Sequence, residues 1–415
     1  MGIVRELRAT SQIMGPPRDP VIANWFGMRN SASGMNVTPD TALKVSSVYR
    51  AVSILAQTYA SMPLDVYRVE QDGNKVVDTS HPNHVLLHDQ PNKWQTSFEW
   101  REMMAGHYAL RGRCYSEIIS AGGKAIAELV PLHPDRVRPF RAPDGRLAFE
   151  YTPIDGPSRI ILQSEMHFMH AMTLSQDGVT PLSPITAYRE AVGLALATEE
   201  HGAKLFSNGT RLGGVLTMQG YIKDDARRKK LLEGFNNAYS GVGNAHKTAL
   251  LEEGMDWKSL GMTSEDAQFL ESRKFQIAEI ARIFGIPLHK LAELDRSTNN
   301  NIEHQGIEFV QDTILPGATR WEQAIKRDLF FGKWKATHCA EFDLDGLMRG
   351  DSAQRAASYA SGRQWGYLSA NDIRRREKMN PIVDGDIYLQ PSNMTAAGTV
   401  LTINTGTGTQ NDTNP

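Results

Sequence analysis

Four groups of residues have types and spacing that could do chemistry. Gly241-Val242-Gly243-Asn244-Ala245-His246-Lys247-Thr248 nearly spells a phosphate-binding loop, in which backbone N–H groups wrap a nucleotide phosphate and a lysine reaches the terminal oxygens. That chemistry needs glycine where His246 stands, and it needs a strand before the loop and a helix after it. Here the local patterns run helix first and strand second, so a turn is the simpler reading. His81, His84 and His88 could share one side of a helix and hold zinc, but Pro82 and Pro91 point to a short surface helix with His81 or Asn83 near its cap. Asp343, Asp345 and Asp351 could converge on magnesium as in a nuclease, although the alternation Phe342-Asp343-Leu344-Asp345 also places the aspartates on the wet face of a strand. Arg227, Arg228, Lys229 and Lys230 form a basic run on a predicted helix, which is either a solvated face or a surface for an acidic partner or DNA.

These groups sit in a chain whose bulk properties are ordinary. Its 415 residues suggest two to four packed units, and 40% hydrophobic with 22% charged residues fit a folded globular protein. The 45 basic and 47 acidic residues leave a net charge of -2, without the basic excess of a domain that grips DNA tightly. Cys114 and Cys339 are far apart and lack CxxC spacing, so neither a disulfide framework nor a zinc site is expected, and a reducing cytoplasm fits. No signal-peptide run or membrane span is expected, and Met1-Gly2 is not a myristoylation signal because Glu6 occupies the position that requires Ser or Thr.

The elements that must position these residues follow from periodicity and breakers. Residues 1–40 mix Gly, Pro, Asn and Ser and read as an arm. A helix is predicted over Thr41–Ala60 from Val45, Val48, Val52 and Leu55, ended by Pro63, with a strand at Leu64–Val69. Ser97–Leu110 reads as a helix, and Cys114–Ser120, Ala125–Pro131, Arg136–Arg141, Phe149–Pro153 and Arg159–Leu162 read as strands of a mainly antiparallel sheet. A long helix spans Leu182–Phe206, with Ser183 as cap and Pro184 at its first position, and a second runs from Ser264 to the stop Gly285-Ile286-Pro287. Between them Gly213–Met218, Asp224–Tyr239, Thr248–Glu252 and Trp257–Leu260 make a small α/β insert. Further on come a helix broken at Pro316, a strand at Phe342–Leu347, two short helices around Gly366 within Asp351–Met379, and a Thr/Gly/Asn tail expected to be disordered.

Several ordered segments resemble the portal protein family of tailed phages, from about Val37 to Gln390. They are Val48-Tyr49-Arg50-Ala51-Val52 with Ser61-Met62-Pro63-Leu64, Leu129-Val130-Pro131-Leu132 with Pro134-Asp135-Arg136-Val137, and Leu182-Ser183-Pro184-Ile185 leading to Phe206-Ser207-Asn208-Gly209 and Gly213-Gly214-Val215-Leu216. Then follow Lys247-Thr248, Leu251-Glu252, Gly254-Met255-Asp256-Trp257, Asp266-Ala267-Gln268-Phe269-Leu270-Glu271 and Ile280-Ala281-Arg282-Ile283-Phe284-Gly285-Ile286-Pro287. Each segment alone is weak; their joint order carries the resemblance. Arg211-Leu212 departs from the family, which more often has proline before the two glycines.

The resemblance implies an α+β portal fold: an α/β wing, a helical stem, a small α/β clip inserted between the stem helices, and a helical crown. The expected divisions are an arm at 1–40, wing at 41–180, stem helices at 183–209 and 264–284, clip at 211–262, tunnel loop at 287–301, a kinked helix returning to the wing at 302–350, crown at 351–390 and tail at 393–415. It implies a non-catalytic ring, commonly of twelve subunits, at one capsid vertex of a virion assembled in host cytoplasm. Double-stranded DNA would pass through it, and the terminase large subunit, the head-tail adaptor, the major capsid protein and the scaffold would be partners, with no membrane and no cofactor. Lys290 and Arg296 are then candidates for transient phosphate contact, Asn299, Asn300 and Asn301 for a compliant uncharged lining, and Arg227, Arg228, Lys229 and Lys230 for the clip's docking surface. Near-zero net charge suits a passage, because each phosphate neutralised adds affinity and so friction. The rival readings are a DNA-processing enzyme using Lys247-Thr248 or Asp343 and Asp345, and a scaffold or adaptor without a channel.

Overall fold

Trp100, Trp321, Tyr59 and Phe342 meet ring to ring at 5.7–6.4 Å in the main core, and the elements that deliver them define the body. The computed structural model describes residues 31–120, 126–207, 214–217, 224–239, 255–259, 264–293, 299–348, 352–377 and 379–389. The chain divides into two units, Met1–Leu344 and Asp345–Pro415.

In the first unit, α1 (Ser46–Ser61) buries Val48, Ala51, Val52, Leu55, Ala56 and Tyr59 along one stripe, as the apolar spacing predicts. The expected helix Thr41–Ala60 is in fact two pieces, because Val45 adopts an extended conformation that separates a turn at Pro39–Ala42 from α1. α2 (Ser97–Arg111) starts on a capping box: Thr96 Oγ1 accepts from Glu99 N (3.3 Å) and the Glu99 carboxylate accepts from Thr96 N (2.8 Å). It ends at Gly112, whose φ of 67° is a left-handed conformation, and where an added Cβ would lie 2.1 Å from the Leu182 carbonyl oxygen. α1 and α2 pack together over Trp100, Met104 and Ala105.

Three antiparallel sheets belong to the same unit. β3 (Arg113–Ser120) lies between β4 (Ile126–Leu132) and β8 (Met166–His170), in register Tyr115 to Leu132 and Ser116 to His167. β5 (Val137–Arg141), β6 (Leu147–Tyr151) and β7 (Arg159–Leu162) form the second, whose Phe149 and Ile161 join Tyr115 and Phe168 in a separate small core. The third pairs β1 (Leu64–Val69) with the hairpin strand β2 (Lys75–Val77) and with β11 (His338–Phe342), Leu64 opposite Phe342. β11 ends where the expected strand Phe342–Leu347 begins, because Asp345 opens a short helix, Asp345–Met348.

The residues near 31–40 are not a loose arm. Ser31 and Val37 are buried, Ala32 N donates to the Glu190 carboxylate (2.8 Å), and Gly193 admits Ser31 by having no side chain. The remainder of the arm, 1–30, and the tail beyond 390 lie outside the described residues.

The expected helix Leu182–Phe206 breaks at Tyr188 into a short turn Pro184–Ala187, capped by Ser183, and α3 (Arg189–Ser207). The chain then forms β9 (Gly214–Thr217), α4 (Asp225–Tyr239) and β10 (Asp256–Ser259), with β9 and β10 paired antiparallel, and returns along α5 (Ser264–Phe284). The expected strand Thr248–Glu252 lies outside the described residues. α3 and α5 pack together, and Gln276 donates to Thr198 (2.9 Å). Among the described side chains, burial falls on Val192, Ala195 and Leu196 near the start of α3 and on Gln276, Ile280, Ala281 and Phe284 near the end of α5, so the start of one helix and the end of the other share a base.

After α6 (Asn299–Phe309), Val310–Ile314 forms a π turn that leads into α7 (Leu315–Asp328). The break predicted at Pro316 takes this form because proline has no N–H to donate, and the Tyr59 hydroxyl sits at the carbonyls of Thr313 (3.2 Å) and Ile314 (3.1 Å). α7 lies against β8 and β11 and is clamped there by Asp328. That buried carboxylate accepts from His167 Nδ1 (3.1 Å), Phe168 N (3.2 Å) and the Arg327 guanidinium (2.6 and 2.7 Å), while the guanidinium stacks 3.8 Å over the Phe168 ring. Burial pushes the Asp328 carboxyl up, and the hydrogen bonds from Arg327 and His167 outweigh it and hold the group below its ordinary range.

In the second unit, α8 (Ser352–Gln364) and α9 (Ala370–Arg376) flank Gly366, as predicted. Ser369 and Asp372 form a capping box on α9, and the buried Asn371 amide holds the following segment through Ile382 N, Ile382 O and Asp386.

Candidate functional site

The short turn Leu288–Leu291 follows α5 and carries Lys290 half-buried, its ammonium 5.0 Å over the Phe309 ring. Across from it runs the outer face of α1. Arg50, Ile54, Gln57, Thr58 and Ser61, with Phe98 from α2 and Lys290, line a groove of about 410 Å³. Arg50 and Gln57 are exposed, and α1 contains no acidic residue. The groove is thus cationic, hydroxyl-bearing and open.

Other predicted site residues are placed differently. Asn299, Asn300 and Asn301 are not loop but the first residues of α6, so the expected loop 287–301 is a helical turn at one end and a helix start at the other. Asparagine competes well for helix-start positions, which a reading of polarity alone misses. Arg296 lies outside the described residues.

Arg227, Arg228, Lys229 and Lys230 are exposed on the first turns of α4, as predicted. Four cations near a helix N-terminus oppose its dipole. Asp224, whose carboxylate accepts from Ala226 N (2.9 Å), and Asp225, paired with Arg228 (2.9 Å), offset only part of that charge.

The histidines are structural. His81 Nδ1 accepts from Asn83 N (3.1 Å), capping the short helix Pro82–His84, and its ring packs on Trp334 (4.6 Å), His338 (4.8 Å) and Phe330 (5.3 Å). Burial, with His338 beside it, pushes the His81 imidazole down to about 4. His84 stacks on His88 at 4.9 Å, and His88 faces Asp89 and Asp65. Among the described residues no group of three or more His, Cys, Asp or Glu is arranged to hold a metal ion.

Asp343 is exposed just past β11, Asp345 begins a helix, and Asp351 lies outside the described residues, so the alternating-strand account of these aspartates does not hold. Gly241–Thr248 also lies outside them. Cys114 and Cys339 are free thiols, with burial pushing Cys114 upward and Cys339 up to about 11, so neither is an activated nucleophile. No described helix is long and apolar enough to cross a membrane.

Comparison with known proteins bears on this arrangement directly. The chain is 31% identical over 386 residues to the portal protein of Enterobacteria phage HK97, covering 92% of this chain and 89% of that one. It is 32% identical over 397 residues to a probable portal protein of Streptomyces phage phiC31, covering 92% and 85%. Its fold is similar, with a TM-score of 0.56 and 22% identity, to a chain in the neck of a native gene transfer agent particle computed with C12 symmetry, covering 92% of this chain and 100% of that one. The model of the family described as phage portal protein matches residues 46–378, and with that extent of agreement the chain belongs to the phage portal protein family.

Proposed function

We propose that the protein forms a closed ring, of twelve subunits, at one vertex of a capsid, and that DNA enters and leaves through its axis. The observation that carries this reading is the packed pair α3 and α5, rooted in the body and bearing the β9–α4–β10 insert, in a chain of this family. Such a hairpin cannot bury both flanks by itself. Leu194 on α3 and Phe275 on α5 are exposed, and side-by-side copies would cover them and close a tube.

The insert is the docking platform for the terminase large subunit during packaging and for the head-tail adaptor afterwards. Its basic run Arg227, Arg228, Lys229 and Lys230 meets acidic surfaces of those partners. Lys290 and Arg296 make passing contacts with DNA phosphates, and the segment that starts α6 at Asn299, Asn300 and Asn301 adds uncharged surface. The wing, 41–180, meets the capsid shell and its scaffold. The ring is structural, needs no cofactor and draws packaging energy from its partner. It assembles in the host cytoplasm and resides in the virion.

Negative-stain imaging with light-scattering mass on the same purified sample tests the reading. Rings with an axial hole wide enough for duplex DNA are expected. Assemblies without a hole, or nucleotide or nuclease turnover lost in Lys247→Ala or Asp343→Ala, would overturn it.

A further inference from the structure

We infer that the groove between α1 and the Leu288–Leu291 turn is a seat for a phosphate of the DNA backbone, in which Arg50 is the principal contact and Gln57 and Lys290 are its partners. The inference rests on the reading of the protein as a DNA conduit and adds a site that the turn alone does not contain.

The chemistry of the lining selects an anion. Its side chains are Arg50, Ile54, Gln57, Thr58, Ser61, Phe98 and Lys290: two cations and no carboxylate. Among the described residues neither Arg50 nor Lys290 has a carboxylate partner, so both bring uncompensated charge to the same 410 Å³ space. The hydroxyls do not compete as donors, because Thr58 Oγ1 already donates to Ile54 O (2.7 Å) and Ser61 Oγ to Thr58 O (3.0 Å). The free donors are therefore the Arg50 guanidinium, the Gln57 amide and the Lys290 ammonium, a set suited to the several oxygens of a phosphodiester.

Placement favours a polymer's phosphate over a buried small ligand. The groove is open, and Phe98 is 42% exposed on one wall, where an apolar face can lie against a sugar. Lys290 is pinned over Phe309, which holds its charge at the rim and limits its reach. Contacts from an exposed arginine and a tethered lysine are weak and salt-sensitive, as a passage that must release each phosphate requires.

The test uses the full-length assembled protein and a short labelled duplex, with binding followed by fluorescence anisotropy as salt is raised. Each phosphate contact contributes about 0.9 to the slope of log affinity against log salt, so the loss of affinity between about 50 and 200 mM salt shrinks by about 3.5-fold when one contact is removed and about 12-fold when two are. Those are the expected changes, per contacting subunit, for Arg50→Ala and for Arg50→Ala with Lys290→Ala. Arg50→Lys should restore most of the slope, and Lys93→Ala, outside the groove and already paired with Glu128 (2.9 Å), should leave it unchanged. If Arg50→Ala leaves affinity and slope as in the wild type while Lys290→Ala lowers them, the groove is not the seat and the conduit reading stands. If neither matters, both fall. If Arg50→Ala leaves DNA binding intact but weakens ring assembly, the groove receives an acidic side chain of a second copy, and the inference is overturned.

Discussion

Replacing Asp328 should release α7 from β8. The Asp328 side chain is 2% exposed and its carboxylate accepts four hydrogen bonds, from His167, Phe168 N and twice from Arg327. In Asp328→Ala the Phe168 amide and the His167 Nδ1–H lose their acceptor inside the protein, at about 1–3 kcal/mol each, and the total is about 3–5 kcal/mol for a buried charged network broken on one side. His167 cannot compensate through its other nitrogen, because Nε2 is buried without a hydrogen-bond partner. Arg327 is 40% exposed, so water replaces part of what it gives Asp328, and His167 and Phe168 N still serve the carboxylate; Arg327→Ala should therefore cost only about 1–2 kcal/mol although its bond to Phe168 O is lost as well. Hydrogen–deuterium exchange by mass spectrometry on the native protein reads the effect locally, without needing reversible unfolding. Peptides over Met166–His170 and Leu315–Asp328 should exchange about 10²- to 10⁴-fold faster in Asp328→Ala, the range that corresponds to about 3–5 kcal/mol. Because the folded carboxyl is held below its ordinary 3.8, its contribution is present above that pH and is lost only as the pH falls through the lower folded value. The advantage of the wild type over Asp328→Asn should therefore persist down to pH 3.8 and close below it. Wild-type exchange rates in Asp328→Ala would refute the clamp.

Tyr59→Phe should destabilise the π turn by about 1–3 kcal/mol, since the carbonyls of Thr313 and Ile314 lose their hydroxyl donor, and faster exchange confined to 310–318 would report it. Gly112→Ala should lower the thermal midpoint by several degrees, because the left-handed φ of 67° and the Leu182 carbonyl 2.1 Å from the added Cβ both oppose it; an unchanged midpoint in differential scanning calorimetry would count against that geometry. Burial holds His81 near 4 and His107 and His170 near 3, so these imidazoles are neutral when folded and take up protons when unfolded. Their contribution to stability is full above pH 6.5 and is lost as the pH falls toward 4, with proton uptake on unfolding approaching three at the steepest point. His81→Asn, which keeps a capping side chain, should remove about one of those protons, as read from the pH dependence of the denaturant midpoint.

Much of the local architecture was legible because its causes are local. Pro63 ends α1, Gly112 and Gly285 end α2 and α5, a period-two run marks β1, and the short apolar run Arg159–Leu162 is β7 with the bounds expected. Errors fell where a single residue's backbone, not a pattern, decides. Val45 and Tyr188 interrupt helices whose apolar spacing continues through them, and Asn299 starts a helix that polarity alone reads as loop. At the candidate site Lys290 was singled out because the resemblance places it in the tunnel loop, whereas Arg50 entered only as part of the segment Val48–Val52 that carries the resemblance. Nothing in its neighbours marks it; the signal is the absence of any acid along Ser46–Ser61.

By itself, then, the sequence determined the family, the order and type of most elements, and the bracketing of an α/β insert by two long helices, because hydrophobic period, turn residues and ordered motifs are all written within a few residues of one another. Only the tertiary structure decided that β11 pairs with β1, that Asp328 closes on His167 from 161 residues away, and that Arg50 and Lys290 share one groove. Each of those joins depends on which faces pack and in what register. That choice is made by the burial of the whole core and by the satisfaction of its polar groups, and no local stretch of chain contains it.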